Sequence, residues 1–233
     1  MALIRIEWRA ETAVLFLARP PVNAFNLDLV REFRAALEHM NEKAPSGGVV
    51  VTGDGPAFSG GVDFKEVPGY TVAQKAATIT DINLMITLLY GLPTATVAAV
   101  NGHAIGGGFV VMLACDVRLG ADADAQMGLT EVTAGIPYPA CPMEVVNAEI
   151  EPAHRRHLVL SGETIGPQAA AAHGLVDELV GPEQMLERAV ELARTRAGAR
   201  SYARVKEQLR HETLLRMRAL VATARDPMLD QWV

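Results

Sequence analysis

The sequence predicts an α/β fold, in which a core of buried strands and helices is followed by a helical C-terminal part. Two observations support this prediction. Up to residue 150, short apolar runs typical of strands alternate with longer segments of helical periodicity. From Glu151 onward the pattern is almost entirely helical, with one predicted strand at LVDELV. We therefore divide the chain into an α/β core, residues 1–150, and a helical C-terminal region, residues 151–233.

The first predicted elements are two strands and a helix. ALIRIEW and TAVLFLA have the pattern of strands joined by a short polar turn. RPPVNAFN forms the next turn, and Asn26 or Asp28 can cap the helix that follows. The apolar side chains of this helix recur at helical spacing, namely Leu29, Val30, Phe33, Leu37 and Met40.

The middle of the core continues with alternating elements. Val49–Val51 is a buried strand that leads into a glycine-rich loop, and VAQKAATITDINLMITLLY is a helix stopped by Gly91. TATVAAV is a further buried strand. The segment QMGLTEVTAGIPYPACP is predicted to be irregular, because its three prolines interrupt regular structure.

Composition and charge narrow the class of protein. The 233 residues are 50% hydrophobic, which is enough for a substantial core. The net charge of −6 argues against sequence-independent binding of nucleic acid, which needs a basic surface. The two cysteines, Cys115 and Cys141, lack the spacing of a disulfide framework or a zinc site. We therefore predict a cytoplasmic protein that binds neither nucleic acid nor metal.

The apolar segments have the pattern of buried core and not of a signal peptide or a membrane span. Charged residues break the N-terminal strands, whereas the apolar part of a signal peptide is continuous. The longest apolar stretch, GLPTATVAAVNGHAIGGGFVVMLAC, is interrupted by Pro93, Asn101 and His103. We interpret it as core and predict no association with membranes.

Three consecutive glycines, Gly106 to Gly108, precede an apolar run that is predicted to be a helix. The chain lacks the patterns of a phosphate-binding P-loop, a dinucleotide site, a nucleophile elbow and a zinc helix. A strand-to-helix turn made of glycines exposes backbone amides at the positive end of a helix, where an oxyanion can bind. The alternative is that the glycines only allow close packing of helix and strand, and the stretch by itself leaves both interpretations open.

A second glycine pair favours the oxyanion interpretation. AFSGGVDFKE follows a predicted buried strand and can expose another amide. Stabilising the oxyanion of an enolate needs two convergent donors, so two such loops are more informative than one.

Five segments resemble the crotonase superfamily, also called the enoyl-CoA hydratase/isomerase family, and together they cover most of the chain. The resemblance implies a ClpP-like spiral of ββα units, a homotrimer or homohexamer, and an acyl-CoA thioester as ligand, with coenzyme A entering as part of the substrate and no other cofactor. The segments are RPPVNAFN, AFSGGVDFKE, AVNGHAIGGGFVVMLACDVRL, MGLTEVTAGIPYP and SGETIGPQAAAAHGLVDELV.

The resemblance also implies roles for individual residues. The oxyanion amides fall on Gly60 and Gly107, and Arg19 or Lys65 can meet the phosphates of coenzyme A unless they are solvated surface charges. The helical C-terminal region would serve oligomerisation and would cover the active site of its own or a neighbouring subunit. Four residues would contact coenzyme A, largely through their backbone groups: Val22, Ala24, Asp63 and Phe64.

The acid–base residues distinguish between activities within the family. Hydratases of the family use two glutamates, and here those positions hold Val110 and Glu131. A single carboxylate in an apolar pocket suits transfer of a proton between two carbons, as in the Δ3,Δ2-enoyl-CoA isomerases. We therefore predict an isomerase with Glu131 as its acid and base, with Val110 as a substrate-binding residue and with Tyr138 as a candidate residue of the acyl pocket. The alternatives are a hydratase, lyase or hydrolase acting on another acyl-CoA, and a non-catalytic acyl-CoA-binding protein.

Overall fold

The computed structural model describes residues 2–223 and 225–232, which form two β-sheets surrounded by helices. The strands are β1 (Ile4–Arg9), β2 (Thr12–Leu17), β3 (Val49–Gly53), β4 (Ala57–Ser59), β5 (Thr96–Val100), β6 (His103–Ile105), β7 (Val117–Ala121), β8 (Met127–Gly128), β9 (Thr164–Ile165) and β10 (Glu178–Val180). The α-helices are α1 (Leu27–Lys43), α2 (Val72–Tyr90), α3 (Gly107–Ala114), α4 (Glu131–Ala134), α5 (Ala140–Glu149), α6 (Pro152–Ser161), α7 (Pro167–Ala172), α8 (Met185–Ala197) and α9 (Tyr202–Ala222).

The larger sheet has the order β1-β2-β3-β5-β7-β10 and is parallel except for the hairpin of β1 and β2. Its central strands are wholly buried, which explains their runs of valine and alanine without polar alternation. Helix α8 covers one face, where Ala189 and Ala193 pack among the sheet residues Val50 and Val97. The main core lies on the other face, beneath α1, α2 and α3.

The smaller sheet has the order β4-β6-β8-β9, and its first three strands are parallel. Each of these strands follows a strand of the larger sheet and precedes a helix, in the units β3-β4-α2, β5-β6-α3 and β7-β8-α4. The predicted α/β fold of repeated ββα units with a helical C-terminal part is therefore confirmed. This repetition brings the chain segments that follow β4, β6 and β8 to one edge of the small sheet.

Local signals explain where the first helices begin and end. The Asn26 side chain accepts a hydrogen bond from the Leu29 amide at 2.9 Å, so Asn26 caps α1, as one of the two predicted alternatives. Thr71 and Gln74 form a reciprocal capping box at the start of α2. Helix α2 ends before Gly91, as predicted.

The prediction that residues 126–142 are irregular was wrong in part. This segment contains β8 and α4, and α5 begins at Ala140 with Pro142 in its first turn. A proline is tolerated there because the first amides of a helix have no partner within the helix. The prolines therefore mark the start of a helix rather than its absence.

The C-terminal region is helical, and its predicted strand is confirmed as β10, which pairs with β7 of the larger sheet. Helix α9 reaches back to the core, where Leu214 and Met217 are buried. The division of function between residues 1–150 and 151–233 stays a prediction. Across the described residues, every helix is either too short or too polar to cross a membrane.

Candidate active site

Three loops meet at the edge of the small sheet where β4, β6 and β8 end. The loop after β4 contains Gly61 and Val62, β6 leads into Gly107 at the start of α3, and β8 leads to Glu131 at the start of α4. Val62, Gly107 and Glu131 all line one pocket. Since neighbouring parallel strands end at the same edge of a sheet, the fold brings these residues together although they are far apart in the sequence.

The three glycines form the start of α3, as predicted. The Gly106 amide donates to the Gly128 carbonyl at 2.8 Å, and the Gly106 carbonyl accepts the first helical bond, from the Val110 amide at 3.1 Å. No side chain caps this end among the described residues, so the Gly107 amide keeps the orientation of a free helix N-terminus. Gly107 was a predicted oxyanion donor, and its position in the pocket wall is compatible with that role.

Gly61 allows the two glycine loops to approach each other closely. Its φ angle is +73°, and a Cβ atom there would lie 2.6 Å from the Ile105 carbonyl oxygen and 3.0 Å from the Gly107 nitrogen. Any other residue at this position would be strained and would push the loops apart. The contact places the peptide that joins Gly61 to Val62 beside the start of α3.

The other predicted oxyanion donor, Gly60, needs correction. Its amide donates to the Val22 carbonyl at 2.7 Å, so it is engaged within the protein. The segment then runs parallel to Phe25. The Phe25 amide donates to the Gly61 carbonyl at 2.6 Å, and the Phe25 carbonyl accepts from the Asp63 amide at 3.0 Å. Because successive peptide groups of an extended chain point to opposite sides, the Val62 amide faces away from Phe25. Within residues 2–223 and 225–232 that amide has no backbone acceptor.

The sequence offered no direct signal for choosing Val62. The prediction of Gly60 came from the resemblance, and the choice between Gly60 and Val62 depends on which peptide groups the neighbouring loop occupies. That neighbour is held by Asn23, whose side-chain amide donates to the Ala57 carbonyl at 2.8 Å. The Ser59 hydroxyl in turn donates to the Asn23 carbonyl at 2.8 Å.

The pocket is almost wholly apolar. It contains about 390 Å³ of free space, part of it open to solvent. Val110 is fully buried and forms part of the wall, as predicted for a pocket residue. The only titratable side chain in the described lining is Glu131. The apolar walls are formed by Phe25, Val62, Ile82, Met85, Ile86, Val110, Ile136, Pro139, Pro142 and Trp232.

Glu131 is a buried carboxyl group, only 8% exposed. Its Oε1 atom lies beside Gly106, 3.2 Å from the place that a Cβ atom would take there, so this glycine also makes room for the carboxylate. Burial raises the pKa of Glu131 above its ordinary value, and a nearby Tyr138 hydroxyl partly opposes the rise. Perturbed carboxyl groups in apolar pockets are typical of general acids and bases.

Tyr138 lies against Glu131 and outside the lining of the pocket, which differs from its predicted place in the acyl pocket. It is 8% exposed. Its hydroxyl and the Oε2 atom of Glu131 are both buried, and within the described residues neither meets a partner in hydrogen-bond geometry. Burial, and then the charge of Glu131, raise the pKa of Tyr138 far above its ordinary value, so the hydroxyl keeps its proton.

The residues predicted to contact coenzyme A lie on the loops beside the pocket and not in its lining. Val22 and Phe64 are 43% and 48% exposed, and the Ala24 carbonyl accepts a bond from Arg19 at 3.0 Å. Asp63 accepts from the Lys65 amide at 2.9 Å and pairs with Arg19 at 2.7 Å.

Asp63 and Arg19 therefore act within the protein. Burial acts to raise the pKa of Asp63, but the bonds from Arg19 and from the backbone outweigh it and lower the pKa. Arg19 also pairs with Glu66 at 2.9 Å, so it stabilises these loops, whereas Lys65 is exposed.

Sequence reasoning missed one prominent lining residue, Trp232. It follows a short 3-10 helix at the end of the described chain and forms one wall of the pocket. Nothing in the residue pattern pointed to it, because it is remote in sequence from every other residue of the site.

Comparison with known proteins gives consistent results. Residues 7–231 match the enoyl-CoA hydratase/isomerase family. A probable enoyl-CoA hydratase of Mycobacterium tuberculosis, EchA17, is 32% identical over 186 residues, which cover 79% of this chain and 70% of that protein. A hydroxycinnamoyl-CoA hydratase-lyase of Pseudomonas fluorescens is 34% identical over 201 residues, which cover 82% of this chain and 71% of that protein.

Solved structures lead to the same group of proteins. The human mitochondrial Δ3-Δ2-enoyl-CoA isomerase superposes with a TM-score of 0.87 at 28% identity, over 99% of this chain and 90% of that one. An enoyl-CoA isomerase of Mycobacterium tuberculosis gives a TM-score of 0.86 at 25% identity, over 96% of this chain and 97% of that one.

Proposed function

Because this chain belongs to the enoyl-CoA hydratase/isomerase family, we propose that it binds an acyl-CoA thioester and moves a double bond of the acyl group. The reaction is the conversion of a 3-enoyl-CoA to a 2-enoyl-CoA, with Glu131 as the single acid and base. One observation carries the proposal: Glu131 is the only titratable side chain in the described lining of an apolar pocket, and Val110 stands where a hydratase of this family has its second glutamate.

The proposed reaction needs one group that first accepts and then donates a proton. The Glu131 carboxylate takes a proton from C2 of the 3-enoyl thioester, and the electron pair spreads onto the thioester oxygen as a dienolate. The resulting carboxylic acid returns the proton to C4, which leaves the double bond between C2 and C3. Glu131 ends in its starting state, so no water and no second acid are consumed.

We propose that the amides of Val62 and Gly107 hold the thioester oxygen of the dienolate. The two loops are in contact at Gly61, and both residues line the pocket with Glu131. Donors of this kind stabilise negative charge where it develops and contribute roughly 3–4 kcal/mol each. Val62 replaces Gly60 in this proposal because the Gly60 amide already has an acceptor.

Burial of Glu131 supports its role as the base. Its raised pKa makes the carboxylate a stronger proton acceptor, and it also means that the group ionises at a higher pH than an exposed glutamate. We therefore expect kcat/KM to fall as the pH is lowered, with an apparent pKa above the ordinary glutamate pKa of 4.5. We call this fall the acid limb of the pH profile.

Substitution of Glu131→Gln tests the proposal. We expect kcat for a 3-enoyl-CoA to fall by about 10²–10⁴-fold, because the acid–base group is lost while the pocket keeps its shape. Binding of a saturated acyl-CoA should change by less than threefold, and Glu163→Gln, an exposed carboxyl of the same type, should leave both measurements unchanged. Full isomerase activity in Glu131→Gln would overturn the assignment.

Exchange with deuterated water separates the enzyme from a non-catalytic binder. A chain that only binds acyl-CoA would leave the α-proton of a saturated thioester in place, whereas the proposed enzyme exchanges it through the enolate. We expect exchange in the natural protein and its loss in Glu131→Gln.

Hydration of a 2-enoyl-CoA is the second candidate activity, and one observation favours it. The buried Tyr138 hydroxyl lies close to Glu131 without a hydrogen-bond partner in the described residues, so these two groups can hold a water molecule between them. The substitution Val110→Glu discriminates between the activities. If the natural protein hydrates a 2-enoyl-CoA negligibly and Val110→Glu hydrates it measurably, the natural protein lacks a competent acid–base pair. Substantial hydration by the natural protein favours the hydratase.

We also propose a homotrimer or homohexamer as the working assembly, on the basis of family membership. Sedimentation equilibrium of the purified chain measures the assembly directly. A monomer at micromolar concentration would contradict the proposal without affecting the assignment of Glu131.

A further inference from the structure

The segment 225–232 packs its last described residue, Trp232, into the pocket wall. Trp232 is 8% exposed, and its indole N–H donates to the Pro137 carbonyl at 3.0 Å. Pro137 belongs to the same loop as the pocket residues Ile136 and Pro139. The side chain is therefore held in one orientation by packing and by a directional bond, on a loop that begins just after Glu131 and α4.

A second attachment fixes the position of this segment. Asp226 is 6% exposed and accepts bonds from the Asn83 side-chain amide and from the Ala140 amide, both at 2.7 Å. Asn83 lies on α2 and Ala140 begins α5, which are the two helices that supply Ile82, Met85, Ile86 and Pro142 to the pocket wall. Trp232 is thus anchored to the same elements that build the rest of that wall.

The walls around Trp232 leave little freedom for a long ligand. They combine two prolines with tightly packed aliphatic side chains. Of the free space of about 390 Å³, which includes open solvent, a cavity of only about 20 Å³ admits a water-sized molecule. The described lining carries no charge apart from Glu131. An acyl group that fits must therefore be apolar and compact, and Trp232 contributes the largest side chain to the wall that limits it.

We propose that Trp232 determines the acyl specificity of this protein by limiting the pocket to short, uncharged acyl groups. The inference rests on the proposed function, since it takes an acyl-CoA thioester as the ligand. Trp232 lies outside the glycine loops and selects among acyl-CoA substrates by their acyl group. The thioester itself is held elsewhere in the pocket.

Dissociation constants of saturated acyl-CoA thioesters test this inference without relying on catalysis. We expect the natural protein to bind butanoyl-CoA at least tenfold more tightly than octanoyl-CoA. In Trp232→Ala the preference should be reduced or reversed, with octanoyl-CoA bound at least tenfold more tightly than before, because each methylene that enters apolar surroundings tightens binding by up to about fourfold. The matched control is Trp8→Ala, since Trp8 is the other tryptophan of the chain and lies half-exposed on β1.

Two further measurements keep the test decisive if Trp232→Ala folds poorly. Trp232→Phe keeps a smaller aromatic wall and loses the bond to Pro137, so it should retain more of the preference for butanoyl-CoA than Trp232→Ala does. In a Trp8→Phe background Trp232 is the sole tryptophan, and its emission should respond to butanoyl-CoA but not to coenzyme A alone.

The outcomes separate this inference from the proposed function. If both thioesters bind equally well to the natural protein, or if Trp232→Ala leaves their ratio unchanged, Trp232 is not the determinant and the inference fails while acyl-CoA binding stands. If no acyl-CoA binds to any variant, the proposed function fails and the inference fails with it.

Discussion

The two ends of helix α3 are built in opposite ways. At its C-terminal end the last carbonyl groups are engaged by cations: Arg118 donates to the Leu113 carbonyl at 3.2 Å, and Arg210 donates to the Ala114 carbonyl at 3.3 Å. At its N-terminal end, glycine replaces any capping side chain and the pocket opens beside Gly107. The protein itself engages the carbonyl groups at the C-terminal end, whereas Gly107 at the N-terminal end lines the pocket.

The carboxyl groups near the two ends of α3 also differ, because one is paired with cations and the other is not. Just beyond the C-terminal end, Asp116 lies 2.9 Å from both Lys206 and Arg210, which belong to α9. Near the N-terminal end, Glu131 is buried but has no cation beside it in the described lining, and its Oε2 atom has no described partner. Burying a carboxylate without a partner costs free energy. The protein bears this cost at Glu131 and avoids it at Asp116.

The two ends of α3 therefore lie beside carboxyl groups in different surroundings. The paired charges attach α9 to the core, whereas the unpaired carboxyl keeps a raised pKa that suits proton transfer. Substitutions at each end should therefore affect different measurements, and the following predictions test that separation.

The largest effect on stability is expected at the C-terminal end. Asp116→Asn leaves the buried Lys206 and Arg210 without their shared carboxylate, and we expect the free energy of unfolding in urea to fall by about 3–5 kcal/mol at neutral pH. The control is Glu191→Gln, which removes an exposed partner of Arg188 and should change stability by less than about 0.5 kcal/mol. Equal effects of the two substitutions would contradict the distinction between buried and exposed pairs.

A smaller effect, on activity rather than stability, is expected from Tyr138→Phe. The Tyr138 hydroxyl lowers the pKa of Glu131, so its removal should raise that pKa further and move the acid limb of kcat/KM to higher pH. We expect kcat on the alkaline side of that limb to change by less than about fivefold, because the Tyr138 hydroxyl lies beside Glu131 without meeting it in hydrogen-bond geometry within the described residues.

The matched control for Tyr138→Phe lies at the other end of α3. Tyr202 is a partly buried tyrosine whose hydroxyl donates to Asp116 at 3.2 Å. Tyr202→Phe should leave the acid limb in place. If both substitutions move the limb, or neither does, Tyr138 does not act through Glu131.

The smallest effect is a gain in stability from Glu131→Gln. The folded protein holds the Glu131 proton to a higher pH than the unfolded chain does, so this group loses stabilising free energy as pH rises from 4.5 through its raised pKa. Glutamine carries no such charge, and we expect Glu131→Gln to be more stable than the natural protein at neutral pH. The gain should shrink toward zero below pH 4.5, and a constant difference at all pH values would contradict the account.

Much of the fold was predictable because its signals are local. Asn26 was one of two predicted caps for α1, and the glycines at 106–108 do begin α3. The prolines around α5 misled the prediction, since Pro142 occupies a first turn in which its missing amide has no consequence. A proline excludes a helix interior, but the sequence does not reveal which position of a helix it will take.

The residues of the site were likewise predictable where their signal is local in the sequence. The candidates Glu131, Gly107 and Val110 were found because each stands at a set distance from a glycine motif or in a recognisable segment, and the fold brings all three to one pocket. The choice between Gly60 and Val62 depended on the Val22 carbonyl, which comes from a different loop.

The sequence by itself determined the alternation of strands and helices, the glycine turns and the presence of one glutamate opposite a valine. These features depend on residue types and on their spacing along the chain. Only the tertiary structure decided that the Val62 amide has no backbone acceptor within the described residues, that Tyr138 faces Glu131 and that Trp232 forms part of the pocket wall. Each of these depends on contacts between distant segments, as in the bond between Trp232 and Pro137, 95 residues apart, and such contacts exist only after the chain has folded.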